Sequence, residues 1–139
     1  MRQAQHTLVI GCQGRGLYDI SHQVNAWLSR AGIQTGLLAL FIKHTSCSLL
    51  VQENADPEVL RDMERFLSKL VPDGDPMFRH TSEGPDDMSA HVRTALTQTS
   101  LNVPVSHERM NLGVWQGVYL YEHRTHHLRR QICLHLMGE

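Results

Sequence analysis

The chain has no charge excess, no cysteine pair at ligand spacing and no long apolar run, and each absence removes a class of function. Lysine plus arginine number 13 against 14 aspartates and glutamates, a formal net charge of -1. That leaves no electrostatic footprint for a nucleic acid. Cys12, Cys47 and Cys133 are widely spread, odd in number and without a C-x-x-C. They argue against a disulfide framework or a thiolate zinc knuckle, and for reduced thiols in a cytoplasmic protein. No window approaches a membrane span, and Met1-Arg2-Gln3-Ala4-Gln5-His6 has no apolar core of a leader. The expectation is a soluble, cytoplasmic protein with no nucleic-acid or membrane partner. Two catalytic signatures are missing as well. Gly11-Cys12-Gln13-Gly14-Arg15-Gly16 follows a strand but lacks the G-x-G-x-x-G order of a dinucleotide site. No G-x-S-x-G elbow supports a serine triad.

What the chain does have is histidine, 10 in 139 residues. The length and the 41% hydrophobic content suit one domain, 1–139, with no linker or repeat dividing it. Thr7–Ile10 reads as a first strand. Asp19 can cap a helix with Ile20, Val24, Trp27, Leu28 and Ala31 on one stripe, closed by Gly32. Leu37–Ile42 is apolar on both faces and reads as a central strand; Leu49–Val51 continues it or pairs with it after a bend. Asp56-Pro57 starts a second helix, which Pro72-Asp73-Gly74-Asp75-Pro76 stops. Asp86 or Asp87 can cap a third, carrying Met88, Val92, Ala95, Leu96 and Thr99. Strands follow around 103–106, 112–122 and 131–137. Three helices and a closing run of strands indicate an α+β fold, its sheet packed on helices and on a second sheet or another subunit.

The densest chemistry lies in Arg79 to His91, with two imidazoles and three carboxylates. Imidazole is the commonest transition-metal ligand and titrates near neutrality, so the segment suits a metal site, an acid–base site or both. His91 falls one helical turn after Asp87, on the same face. Asp87 can fix the tautomer of a metal-bound His91, or serve only as an acid at a helix N-terminus. In His44-Thr45-Ser46-Cys47-Ser48, strand alternation puts His44, Ser46 and Ser48 on one face and Cys47 on the other. That makes a Cys47–His44 nucleophile pair unfavourable. The same alternation aligns Gln116, Val118, Leu120, Glu122 and Arg124, an apolar face ending in charges that suits a pocket mouth or a rim ion pair. Arg124, Arg129 and Arg130 can hold phosphate oxygens or form a solvated turn.

Gly14-Arg15-Gly16-Leu17-Tyr18-Asp19-Ile20, His44-Thr45-Ser46-x-Ser48-Leu49, Asn54-Ala55-Asp56-Pro57 and the whole His80–His91 segment resemble the YjbQ-like family, also called the secondary thiamine-phosphate synthase family. So do Ala95-Leu96-Thr97-x-Thr99-Ser100, Gly113-x-Trp115-Gln116-Gly117 and Glu122-His123-Arg124. The resemblance spans essentially the full chain. It implies an α+β domain with a mixed sheet, assembled as a homotrimer, and a metal site on His44, His80 and His91. The ion would be zinc, with magnesium or manganese as alternatives. Ser46, Trp115 and Gln116 would contact a small phosphorylated substrate, and Glu53, Asp87, Glu122 and Arg124 would serve catalysis. The reaction implied is weak thiamine-phosphate formation from a pyrimidine pyrophosphate and a thiazole phosphate. Competing expectations are a metal-dependent phosphate-ester hydrolase and a non-enzymatic metal- or metabolite-binding module. The chain departs from the family pattern at Cys47, where small residues such as alanine are usual, and at Thr125-His126-His127-Leu128.

Overall fold

Strand alternation and three amphipathic helices produce two sheets closed over one core. The computed structural model describes every residue, Met1 to Glu139. In chain order the elements are β1 (Arg2–Gln13), β2 (Gly16–Asp19), α1 (Ser21–Ala31), β3 (Gly36–Ile42), β4 (Cys47–Glu53), α2 (Pro57–Leu70), α3 (Asp87–Leu96), β5 (Ser100–Ser106), β6 (Arg109–Met110), β7 (Gln116–Glu122) and β8 (His127–Gly138). One sheet runs β1-β8-β3-β5-β6 and the other β2-β7-β4. Every pairing is antiparallel, which corrects the expected mixed sheet. Only β5 and β6 are both consecutive in the chain and paired; the other neighbours are distant in sequence and reach each other running antiparallel.

Local signals placed the helices well. Asp56 Oδ1 accepts from the Glu58 amide at 2.9 Å and Pro57 takes the first helical position. Gly32 closes α1 in the left-handed region at φ 71°, a conformation that costs glycine nothing. Asp19 sits one residue earlier than a cap, its Oδ1 accepting from Ser21 N at 2.9 Å. Strand β1 is far longer than Thr7–Ile10 because all twelve of its residues pair with β8, from Arg2↔Gly138 to Gln13↔His127.

The core lies between the sheets. Ile10 of β1, Leu38, Leu40 and Ile42 of β3, Ile132 and Leu134 of β8, and Leu49, Val118 and Leu120 of the smaller sheet are all buried there, with Val24 and Leu28 of α1. At Gly36↔Gly138 the backbones approach so closely that a Cβ on Gly36 would lie 2.2 Å from the Met137 carbonyl oxygen. The smaller sheet turns Tyr121 to the opposite side, where its hydroxyl donates to Glu64 Oε1 of α2 at 2.8 Å. Fully buried Arg93 of α3 donates to both oxygens of the same carboxylate, at 3.0 and 3.2 Å. This polar clamp ties α2 and α3 to the strand beneath them. No helix is long and apolar enough to cross a membrane.

The segment around His44 departs from the expected strand. β3 ends at Ile42, residues 43–46 cross from one sheet to the other, and β4 begins at Cys47 against β7. Side-chain parity is therefore not carried from His44 to Ser48.

Candidate metal centre

Three side chains from the α2–α3 loop and the first turns of α3 converge. The ligand atoms of His80, Asp87 and His91 all lie within 4.8 Å of one another. Asp87 Oδ2 lies 2.7 Å from His80 Nε2 and 3.2 Å from His91 Nε2. The carboxylate is 3% exposed, while the histidine side chains are 43% and 33% exposed, so the cluster opens to solvent on its imidazole side. The helical repeat aligns Asp87 with His91, and the preceding loop brings His80 back over them.

Asp87 and His91 are held from behind. Asp87 Oδ1 accepts from Arg124 Nη1 at 2.7 Å, which leaves Oδ2 to the histidines. The same guanidinium donates to Asp86 Oδ2 at 3.0 Å and to the Glu83 carbonyl at 3.0 Å. Burial opposes ionisation of Asp87, but the hydrogen bond from His80 and the charge of Arg124 outweigh it and hold the carboxyl below the usual range. Burial also opposes ionisation of Asp86, yet Arg124 and the amide and hydroxyl of Thr125 pull it down to about 2. Asp86, a cap candidate, makes no capping bond with its side chain.

His91 Nδ1 lies 3.0 Å from the Thr45 carbonyl. A carbonyl only accepts, so the partner assigns the ring hydrogen to Nδ1. In the neutral ring, Nε2 then turns a lone pair toward Asp87 Oδ2, and two acceptors face each other. A proton on Nε2 or a metal cation resolves that opposition.

The other expected site residues lie elsewhere. His44 Nε2 accepts from the Gln131 amide at 2.8 Å, so it does not join His80 and His91. Asp87 takes the third place in the cluster, because the chain turns away from β3 before His44. Glu122 is fully buried between the sheets, paired with Arg130 at 2.7 and 2.5 Å, and forms no pocket mouth. Ser46 Oγ accepts from the same Arg130 at 2.9 Å. Glu53, Trp115 and Gln116 sit at the far end of the β4–β7 ladder, which runs from Cys47↔Glu122 to Glu53↔Gln116. Six residues of strand separate them from the cluster end by about 20 Å. There Glu53 Oε2 accepts from Asp56 N, Gln116 Oε1 accepts from Gly113 N, and Trp115 is 63% exposed. Burial pushes both Cys12 and Cys47 up to about 12, so neither supplies a thiolate near neutrality. Sequence reasoning missed the Thr45 carbonyl and the anchoring role of Asp86; a backbone acceptor leaves no side-chain signal.

The family model described as UPF0047 protein YjbQ-like matches residues 6–139. The UPF0047 protein sll1880 of Synechocystis sp. is 46% identical over 138 residues, spanning 99% of this chain and 94% of that protein. The solved structure of the conserved hypothetical protein TT1486 from Thermus thermophilus superposes with a TM-score of 0.86 at 36% identity, covering 95% of this chain and 99% of the other. A YbjQ-like protein of unknown function from Sulfolobus solfataricus P2 shares the fold, with a TM-score of 0.85 at 19% identity over 99% of this chain and 100% of that one. These designations stop at the family and at unknown function. The thiamine-phosphate-forming activity implied by the resemblance is corrected accordingly: likeness to these proteins carries membership and fold, and no reaction.

Proposed function

The chain belongs to the YjbQ-like UPF0047 family, and we propose that it holds a divalent metal ion, zinc in the first instance, on His80, Asp87 and His91. The supporting observation is the facing pair of acceptors, His91 Nε2 and Asp87 Oδ2, with the Thr45 carbonyl holding the His91 hydrogen on the other nitrogen. Two imidazoles and one carboxylate form a borderline donor set suited to zinc, and three protein ligands leave positions for a small ligand. When bound, such an ion supplies Lewis-acid character to whatever occupies those positions. The protein's own part is to set the ligand geometry: Thr45 orients His91, and Arg124 keeps Asp87 ionised and aimed.

Zinc-loaded, desalted protein should retain about one equivalent per chain by elemental analysis, as a three-ligand site does. His91→Ala and Asp87→Asn should each fall below about a tenth of that, while His44→Ala retains the metal. Full retention by His91→Ala ends this assignment.

The assembly that fits the chain is a homotrimer. Support comes from the outer face of the five-stranded sheet, where Val9, Leu37, Phe41 and Met137 stand exposed together. Leu37 and Met137 are cross-strand neighbours, with Phe41 and Val9 further along the same face among Gln131, Cys133 and His135, and a mixed face of this kind suits a subunit contact. Light scattering should give about three times the 15.8 kDa chain mass, and Phe41→Glu should return the protein to monomer. A monomeric wild type at micromolar concentration overturns the reading.

A further inference from the structure

We infer that the loop between α2 and α3 is a preformed ligand pocket whose occupant is a small organic cation, an amine on an apolar body, and that phosphate esters are excluded from it. This extends the metal reading above, because His80 belongs to both the pocket wall and the triad. The loop is tied shut at its base. Gly74 N donates to the Pro85 carbonyl at 2.9 Å, and Gly84 N to the Thr81 carbonyl at 3.2 Å. Asp73 is clamped by two bonds from Arg15, both 2.9 Å, and by the Ser89 hydroxyl. Chain ends brought together this way give a compact surface loop of the Ω type.

Within it is a cavity of about 320 Å³, the size that takes a small molecule. Pro76, Phe78, Pro85 and Met88 supply apolar walls, with Asp75 and His80 as the charged and titratable groups. No lysine or arginine lines it. Of the neighbouring guanidiniums, Arg15 is matched to Asp73 and Arg124 to Asp86 and Asp87, while Arg79, between the lining residues Phe78 and His80, is exposed and unpaired but does not line the pocket. Within the lining Asp75 is the one carboxylate and no guanidinium or ammonium faces it, so a phosphate at the wall meets like charge. Asp75 Oδ1 accepts from Met77 N at 2.9 Å, while Oδ2 has no protein partner. An ammonium paired with Asp75 and a body lying on Phe78 and the prolines matches both halves of this lining.

Three probes on one body separate the charges: benzylamine, benzyl alcohol and benzyl phosphate, titrated by NMR into EDTA-stripped and zinc-loaded protein. Benzylamine should bind at least about tenfold more tightly than benzyl phosphate in both forms. Asp75→Asn should weaken benzylamine about tenfold and leave benzyl alcohol unchanged. Thr81→Trp, an exposed wall position, should block both. Equal or tighter binding of benzyl phosphate, an unaltered preference in Asp75→Asn, or no shift of loop amides with any millimolar probe overturns the inference. Failure of zinc uptake with the amine preference intact would remove the metal alone. Zinc uptake without that preference would remove the cation pocket alone.

Discussion

Glu122→Gln is expected to lower the stability of the fold by about 3–5 kcal/mol, the range found when one partner of a buried ion pair is removed. Arg130 is 5% exposed and Glu122 wholly buried. Together they occupy the space between the two sheets, beside Cys12 and Cys47. Arg130 spends Nε and Nη2 on the two carboxylate oxygens, with Ser46 as its other partner. An amide in place of the carboxylate leaves a full positive charge in a medium that solvates it poorly. A domain of this size has about 5–15 kcal/mol in total, so the variant should unfold at a much lower urea concentration. The double variant Glu122→Leu with Arg130→Met should regain most of the loss, since apolar replacement of a buried pair is often neutral. Unchanged urea midpoints for Glu122→Gln would show the pair to be solvated in solution.

The second large effect is with pH. His123 is fully buried, its Nε2 2.8 Å from Ser48 Oγ and its Nδ1 without a partner. Burial first, then the charges of Arg93, Arg15 and Arg130, lower its pKa from 6.5 to about 3. Above pH 6.5 both folded and unfolded chains keep the ring neutral, and stability is independent of this group. Between 6.5 and 3 the unfolded chain binds a proton that the folded chain refuses, so stability falls as the pH falls. Below 3 both bind it and the loss levels off. At about pH 4.5 the cost is about 2–3 kcal/mol, from 1.36 kcal/mol per pH unit. Urea unfolding at steps from pH 7 to 4.5 should show this slope, and His123→Gln should flatten it. His44 shifts in the same direction, but its partial exposure keeps its share smaller. Asp86, depressed from 3.8 to about 2, adds its loss only as the pH drops below its unfolded value. An identical slope in His123→Gln would refute the assignment.

Parts of this molecule are readable locally because the interactions behind them are local. Asp56-Pro57 starts a helix and Gly32 ends one, since caps and left-handed glycines act within a turn of chain. The Asp87–His91 spacing belongs to the same kind, an i,i+4 pair on one helical face. Periodicity does not report the sense of pairing, so the antiparallel sheets were beyond reach, and so was the full length of β1. His44 shows the limit most clearly. Alternation holds only while a strand continues, and the chain leaves one sheet at Ile42 to join the other at Cys47.

The amino-acid sequence by itself determined the α+β class, the three helices, the family resemblance and a histidine- and carboxylate-rich segment from His80 to His91. Tertiary structure decided that Asp87, not His44, completes the cluster, that Thr45 sets the His91 tautomer, and that Glu122 turns inward to Arg130. Those choices depend on contacts between residues 7 to 87 positions apart in the chain, and such contacts are made by sheet register and loop closure, which no short-range pattern encodes.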